Sequence, residues 1–223
     1  MSSASSAINC DRIAPWFELA ERLSFWNALE QRRFAYLNRL KESRRAILCG
    51  EGDGRFLVAL LQANPAIEVT YIDSSREMMR IAERRVQGLH KSRRSRVNFH
   101  CGDVMEFDPP CGDYDLVATH FFLDCFAPKD VSRLIASVKQ WTHPRAKWLV
   151  SEFRYAESSF GRLWTSLIIR GIYAGFGALT GLQVNRIPRY APLFLSSGFG
   201  LQESDTALGG LLISELWSSG SHS

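Results

Sequence analysis

Ile47-Leu48-Cys49-Gly50-Glu51-Gly52-Asp53-Gly54 is the stretch on which the reading of this chain turns. The apolar run from Ala46 to Cys49 breaks into three alternating glycines, and an apolar pattern resumes from Phe56 to Leu61 until Asn64 and Pro65 stop it. That succession predicts a strand, a tight turn and a helix. Without side chains the backbone can bend sharply and come close to a ligand, while the helix start presents unpaired N–H groups. The same glycines would also shape a loop that binds nothing, so the turn takes its meaning from its surroundings.

Outward from the turn, strands and helices alternate. The pattern predicts strands at Val69 to Ile72, Val97 to His100, Tyr114 to Thr119 and Trp148 to Ser151, with helices at Arg76 to Val86 and Asp130 to Trp141. Alternation of this kind implies an α/β fold, a doubly wound, mostly parallel sheet between two helical layers. Leu201 to Thr206 and Leu211 to Trp217, separated by Gly209 and Gly210, read as a terminal antiparallel hairpin. Before the turn, apolar residues from Trp16 to Leu40 recur at helical spacing and predict one or two amphipathic helices.

The chain of 223 residues fits one domain, expected over 8–217, with N-terminal helices in 8–45 and a helical insert or lid in 156–198. The Ser- and Ala-rich ends, 1–7 and 218–223, are expected to stay outside the fold. Leu163 to Leu182 is long enough to cross a bilayer, but Arg170 and four glycines dilute its apolarity, and a lid over an apolar pocket fits better. The start has neither a basic leader nor an apolar run, and five cysteines without a Cys-x-x-Cys pair suggest neither a disulfide framework nor a metal site. A reducing, cytoplasmic setting is the expectation. The net charge of +4 comes from 22 Arg and 5 Lys, densest at Lys91, Arg93, Arg94 and Arg96, expected in a loop. A solvated surface explains that run, and contact with RNA phosphates is the alternative.

Two carboxylates give the turn its meaning. Asp73 closes the second strand about 20 residues after the turn, where doubly wound folds place an acid that accepts hydrogen bonds from ribose hydroxyls. A helix cap, shared with Ser74 and Ser75, is its other role. Asp103, in Cys101-Gly102-Asp103-Val104, follows the third strand and can accept from an adenine amino group or serve a turn.

Together these residues resemble the class I S-adenosylmethionine-dependent methyltransferases, over about Ala46 to Ser151. Gly50-x-Gly52-x-Gly54 looks like the family's first motif, and Asp73-x-Ser75-x-x-Met78-Met79-x-x-Ala82 is similar to its second. Asp103-Val104 is similar to the adenine-side motif, and Asp115 to His120 to the fourth strand entering the active site. The resemblance implies a Rossmann-like sheet of seven strands with the last antiparallel, and S-adenosylmethionine as cofactor. It assigns cofactor contacts to Gly50, Gly52, Gly54, Asp73, Ser74, Met78, Asp103, Val104 and His120. Members often carry an acid two positions before the first glycine; here that place is Leu48, and Glu51 is the candidate substitute for holding the cofactor's amino group.

Methyl transfer needs positioning more than acid–base chemistry, and His120 is the candidate base if one is used. Glu152 and Arg154 after the fifth strand could touch substrate or form a surface ion pair, and Asp124 could carry a raised pKa or cap a helix. The fourth strand ends Thr119-His120-Phe121-Phe122, unlike methyltransferases acting on nucleic-acid bases. Trp164, Tyr173, Phe176 and Tyr190, with Arg186 and Arg189, suit an apolar or aromatic small-molecule acceptor. Glu152-Phe153 and Tyr190-x-x-x-Phe194-Leu195-x-x-Gly198-Phe199 look like the quinone-biosynthesis branch. Competing readings are a non-catalytic cofactor-binding protein on the same fold, an RNA methyltransferase, and an NAD-dependent oxidoreductase. The last would put its third glycine at Arg55.

Overall fold

The structure is a computed structural model that describes residues 26–109, 112–180 and 187–220. Its strands are β1 (Arg45–Cys49), β2 (Glu68–Asp73), β3 (Val97–Cys101), β4 (Tyr114–His120), β5 (Thr142–Phe153), β6 (Phe199–Ala207) and β7 (Leu212–Ser219). They form one sheet in the order β3-β2-β1-β4-β5-β7-β6. The first five are parallel, and β7 runs antiparallel to both β5 and β6. From β1 the chain winds outward to β3 and then returns to β4 on the other side. The carboxyl ends of β1 and β4 therefore flank a topological switch point, where ligands settle in open α/β sheets.

The helices are α1 (Trp26–Phe34), α2 (Arg55–Ala63), α3 (Arg76–Gln87), α4 (Lys91–Arg94), α5 (Pro128–Trp141), α6 (Ser159–Thr180) and α7 (Tyr190–Ser196). Alternate residues of β1 feed two cores. Ala46 and Leu48 pack with Phe56, Leu57 and Leu60 of α2 and Met79, Ala82 and Val86 of α3. Ile47 and Cys49 pack with Val131, Leu134 and Val138 of α5 and Phe194 of α7. Burial on both faces is why β1 reads as a continuous apolar run instead of an alternating one. A third cluster joins Leu29 of α1, Ile169 of α6 and Leu211 and Leu212 at the start of β7.

Element ends follow local chemistry. Ser75 caps α3 by accepting from the Met78 N–H at 3.2 Å, and α5 starts with Pro128 in its first turn. The Asn64 amide, just past α2, donates to the carbonyls of Leu40 and Ser43.

Several boundaries differ from the sequence reading. β5 begins at Thr142, directly after α5; its first residues, half-buried Thr142 and exposed His143 to Arg145, carry no hydrophobic signal from which that start could be read. The arginine-rich stretch is not simply a loop: Lys91–Arg94 forms a helical turn, with the His90 ring accepting from the Ser92 N–H. The C-terminal boundary also moves. β7 continues through Ser218 to Ser219, where Ser219 pairs with Phe199 and its hydroxyl donates to the Pro144 carbonyl at 3.0 Å, so backbone pairing holds a polar tail that apolar pattern misses. Residues 1–25, including the helical pattern that starts at Trp16, lie outside the described residues, as do 221–223. Among the described residues no helix is long and apolar enough to cross a membrane.

Candidate active site

The three glycines of the turn all have positive φ, and they are needed for different reasons. A Cβ on Gly50 would fall 2.0 Å from the Phe122 ring, so this glycine admits the aromatic that follows β4. A Cβ on Gly54 would fall 2.7 Å from Cα and Cβ of Ala82, so this one lets α3 pack on the start of α2. Nothing lies within 4 Å of a Cβ built on Gly52. Two glycines thus serve close packing within the protein, and the middle one opens a cradle.

Asp73 is joined to that cradle. One carboxylate oxygen accepts from the Gly52 N–H at 3.1 Å and the other from the Ser75 N–H at 2.8 Å. The helix cap is Ser75 and not Asp73, while Ser74 is exposed. Gly102 donates its N–H to the Asp73 carbonyl at 3.0 Å, which brings the Asp103 loop alongside. Asp103 closes a turn by accepting from the Met105 N–H at 2.9 Å, and Met78 and Val104 are buried. The turn, Asp73 and Asp103 therefore form one continuous rim at the carboxyl ends of β1, β2 and β3.

Beneath the turn lies an ionic cluster that sequence reading missed. Asp53, 1% exposed at its side chain, faces Arg33 of α1 at 3.9 Å, Arg55 of α2 at 3.0 Å and Arg85 of α3 at 2.9 Å. Arg33 also lies over the Phe121 ring, 5.6 Å from its centre. Glu51 is buried, and its Oε1 accepts from the Phe56 N–H at 3.0 Å, capping α2. Its Oε2 is sealed and has no hydrogen-bond partner among the described residues. Burial, then the charge of Asp53, pushes the Glu51 carboxyl up to about 8, with Arg33 opposing.

His120 ends β4, 2% exposed, edge-on to Phe56 with ring centres 4.5 Å apart. Its Nδ1 lies 3.0 Å from Ser151 Oγ, which itself donates to the Arg32 carbonyl at 3.1 Å. The same hydroxyl lies 3.3 Å from Ser214 Oγ, and His120 Nε2 has no hydrogen-bond partner among the described residues. Burial, with a smaller contribution from Arg33, holds the imidazole well below its ordinary pKa. A neutral ring so poor in basicity suits accepting a hydrogen bond better than taking a proton.

Glu152 and Arg154 do not pair with each other. Arg154 reaches Glu157 at 3.5 Å, whereas Glu152 is fully buried and accepts the N–H groups of Phe122 at 3.0 Å and Leu123 at 2.7 Å. Asp124 is buried in the same turn and does not cap α5, whose N-cap is Ala127. Of the aromatics expected to wall an acceptor pocket, Trp164 is 60% exposed on α6 while Tyr190 is buried against Phe194. They do not line one wall. The side chains of Tyr173 and Phe176, and Arg186, lie outside the described residues.

A sheet in this order, with an open glycine cradle tied to an acid at the end of β2, defines a Rossmann-like methyltransferase domain, and comparisons agree. Residues 49–147 match the family model of the methyltransferase domain. The matched segment holds the glycine turn, Asp73 and Asp103, and S-adenosylmethionine is the cofactor that a domain of this kind implies. A comparison of the sequence with curated proteins finds no significant match. Among solved structures, mitomycin 7-O-methyltransferase is similar at TM-score 0.68 and 17% identity, over 97% of this chain and 62% of that one. A family 2 O-methyltransferase from Planctomyces limnophilus, in complex with apigenin, gives 0.69 and 15% over 93% of this chain and 62% of its own. Magnesium protoporphyrin IX methyltransferase from Synechocystis, with bound S-adenosylhomocysteine, gives 0.68 and 16% over 94% of this chain and 97% of its own. The chain thus spans less than two thirds of the two O-methyltransferases.

Proposed function

We propose that the chain transfers the methyl group of S-adenosylmethionine to a small, apolar or aromatic acceptor. The observation that carries this reading is the hydrogen bond from Gly52 to Asp73, which joins the one open glycine of the turn to the acid suited to a ribose. Asp73, at the end of β2 beside the cradle, holds the ribose hydroxyls. Asp103 and Val104 meet the adenine edge, and Met78 lies under its ring. Arg33, the buried cation nearest the turn, takes the carboxylate of the amino-acid end. With Leu48 in the usual acidic position, the amino group falls to Glu51, whose carboxyl gives up its proton beside the incoming ammonium, and to His120 Nε2; Glu51 Oε2 and His120 Nε2 have no partners among the described residues.

The cofactor supplies an activated methyl on a sulfonium, so the work left to the protein is orientation and exclusion of water. Phe121, Phe122, Phe126 and Phe153 gather in one tilted and one edge-on pair at the ends of β4 and β5 and give the methyl position apolar surroundings. A small-molecule acceptor also fits neighbours whose names carry mitomycin, apigenin and magnesium protoporphyrin IX.

Titration calorimetry with S-adenosylmethionine and S-adenosylhomocysteine tests the reading. Micromolar binding is expected, weakened at least tenfold by Asp73→Ala, a loss of about 1.4 kcal/mol or more. Folded protein that takes up neither compound would sink it.

A further inference from the structure

We propose that Glu152, at the end of β5, is a positioning residue for the methyl-transfer site: its carboxylate clamps the exit turn of β4 against Gly50 and so sets one wall of the cofactor cleft. The inference rests on the methyl-transfer reading and assigns within it a residue that touches neither cofactor nor acceptor.

The clamp is visible as a chain of contacts. Glu152 Oε1 accepts the N–H groups of Phe122 and Leu123, and the Asp124 N–H also bonds this carboxylate. Three successive N–H groups thus converge on one side chain from the neighbouring strand. They belong to a turn that the backbone does not favour by itself. Phe121 has φ 53, a left-handed conformation that costs a bulky residue about 1–3 kcal/mol and persists only where the surroundings impose it. Its own N–H is tied to the Ser151 carbonyl, one residue before Glu152 on β5. The next residue, Phe122, carries the ring that lies against Gly50, so the position of this ring and that of the glycine turn are fixed together.

A merely structural cap would not need an acid. Glu152 is 0% exposed, its Oε2 has no hydrogen-bond partner among the described residues, and it interacts electrostatically with Asp124 and Tyr190. Asp124 faces it from the turn and Tyr190 from α7; Glu215 of β7 bonds Tyr190 and Trp217, and Arg154, just past β5, acts on both Tyr190 and Glu215. Burying a carboxyl beside another is costly, and a neutral amide would accept the same N–H groups at less cost. Burial and Asp124 hold the Glu152 carboxyl well above the ordinary range, while its backbone bonds favour the ionised form. Ionisation strengthens hydrogen bonds from N–H donors, so the clamp tightens as pH rises through the titration of Glu152.

The test measures S-adenosylhomocysteine binding by calorimetry from pH 5 to 9 for wild type, Glu152→Gln and Glu152→Ala, with amide hydrogen exchange at Phe122 and Leu123. Expected are at least tenfold weaker binding and lost amide protection in Glu152→Ala. Glu152→Gln should keep both but lose a rise of affinity with pH that wild type shows. Glu51 and His120 titrate in all three proteins, so the difference between wild type and Glu152→Gln isolates position 152. Wild-type affinity in Glu152→Ala would overturn the inference, as would identical pH profiles in wild type and Glu152→Gln. If Glu152→Ala does not fold, the Glu152→Gln profile decides alone. Failure of wild type itself to bind would instead overturn the methyl-transfer reading.

Discussion

Burial holds Glu51 protonated in the folded protein up to about pH 8, whereas in the unfolded chain the carboxyl ionises near its ordinary value of 4.5. Between those values unfolding releases a proton. A raised carboxyl therefore contributes stability that is fully present below 4.5 and lost as pH rises through 8. Glu51→Gln keeps an acceptor for the Phe56 N–H and removes the titration. Denaturant unfolding at a series of pH values should show its advantage over wild type growing from pH 5 to 8 and levelling above; a gap independent of pH would refute this. The glycines offer a second residue-level test. Gly52→Ala should fold with a loss of about 1–2 kcal/mol from its left-handed backbone and bind S-adenosylhomocysteine at least tenfold more weakly, because its methyl fills the cradle. Gly54→Ala should lose more stability than Gly52→Ala, since the Ala82 backbone must also move. A reversed order in thermal denaturation would show that the close approach of α3 is not what requires Gly54. At this scale, Asp73 and Asp103 were legible because strand ends fix their place. Arg33 was not: on a short helix with Arg32 beside it, it looks like solvated charge, and its partner Asp53 is 20 positions away in a contact that only folding creates. Glu152 misled for a related reason: two positions from Arg154 it suggested a surface ion pair, while local pattern says nothing of the turn that buries it.

Elements were easier to read than sites, because their signals are local and repeated. Ser75 shows how a single cap bears on the site. Its hydroxyl accepts the Met78 N–H, and the helix it starts carries both Met78 and the Ala82 that meets Gly54. Ser75→Ala should lower stability by about 1 kcal/mol, and Ser75→Asp, which can restore the cap, should regain most of it in denaturant titrations. Equal losses in the two variants would assign Ser75 to packing in place of capping. What escaped the pattern were segments with no apolar period: the polar start of β5, the turn at Lys91–Arg94 and the last residues of β7. Each is held by backbone pairing or short-range polar bonds, to which hydrophobic spacing is blind. The hairpin and the parallel core were legible because both bury alternate or continuous apolar residues.

For the whole molecule, the sheet separates two chemistries at opposite edges. The glycine cradle, Asp73 and Asp103 lie at the carboxyl ends of the strands, while the basic turn Lys91–Arg94 leads into the amino end of β3. A groove of about 670 Å³ opens at that amino edge, lined by Arg45 and Arg96 and by Glu68, which pairs with Arg45 at 3.4 Å. A strand of five residues such as β1 spans about 17 Å at roughly 3.3 Å per residue. An anionic polymer held in the groove would therefore lie about that far from the methyl-transfer edge. The separation makes a prediction for amide hydrogen exchange with S-adenosylhomocysteine. Protection should rise at Gly50 to Gly54, Asp73 to Ser75, Gly102 to Met105 and Phe121 to Asp124, and stay unchanged at Arg44, Arg45 and Lys91 to Val97. Protection confined to the amino edge would move the nucleoside site into that groove and overturn the reading of the glycine cradle. Protection at both edges would mean that the sheet between them transmits binding, which its rigid two-sided packing argues against.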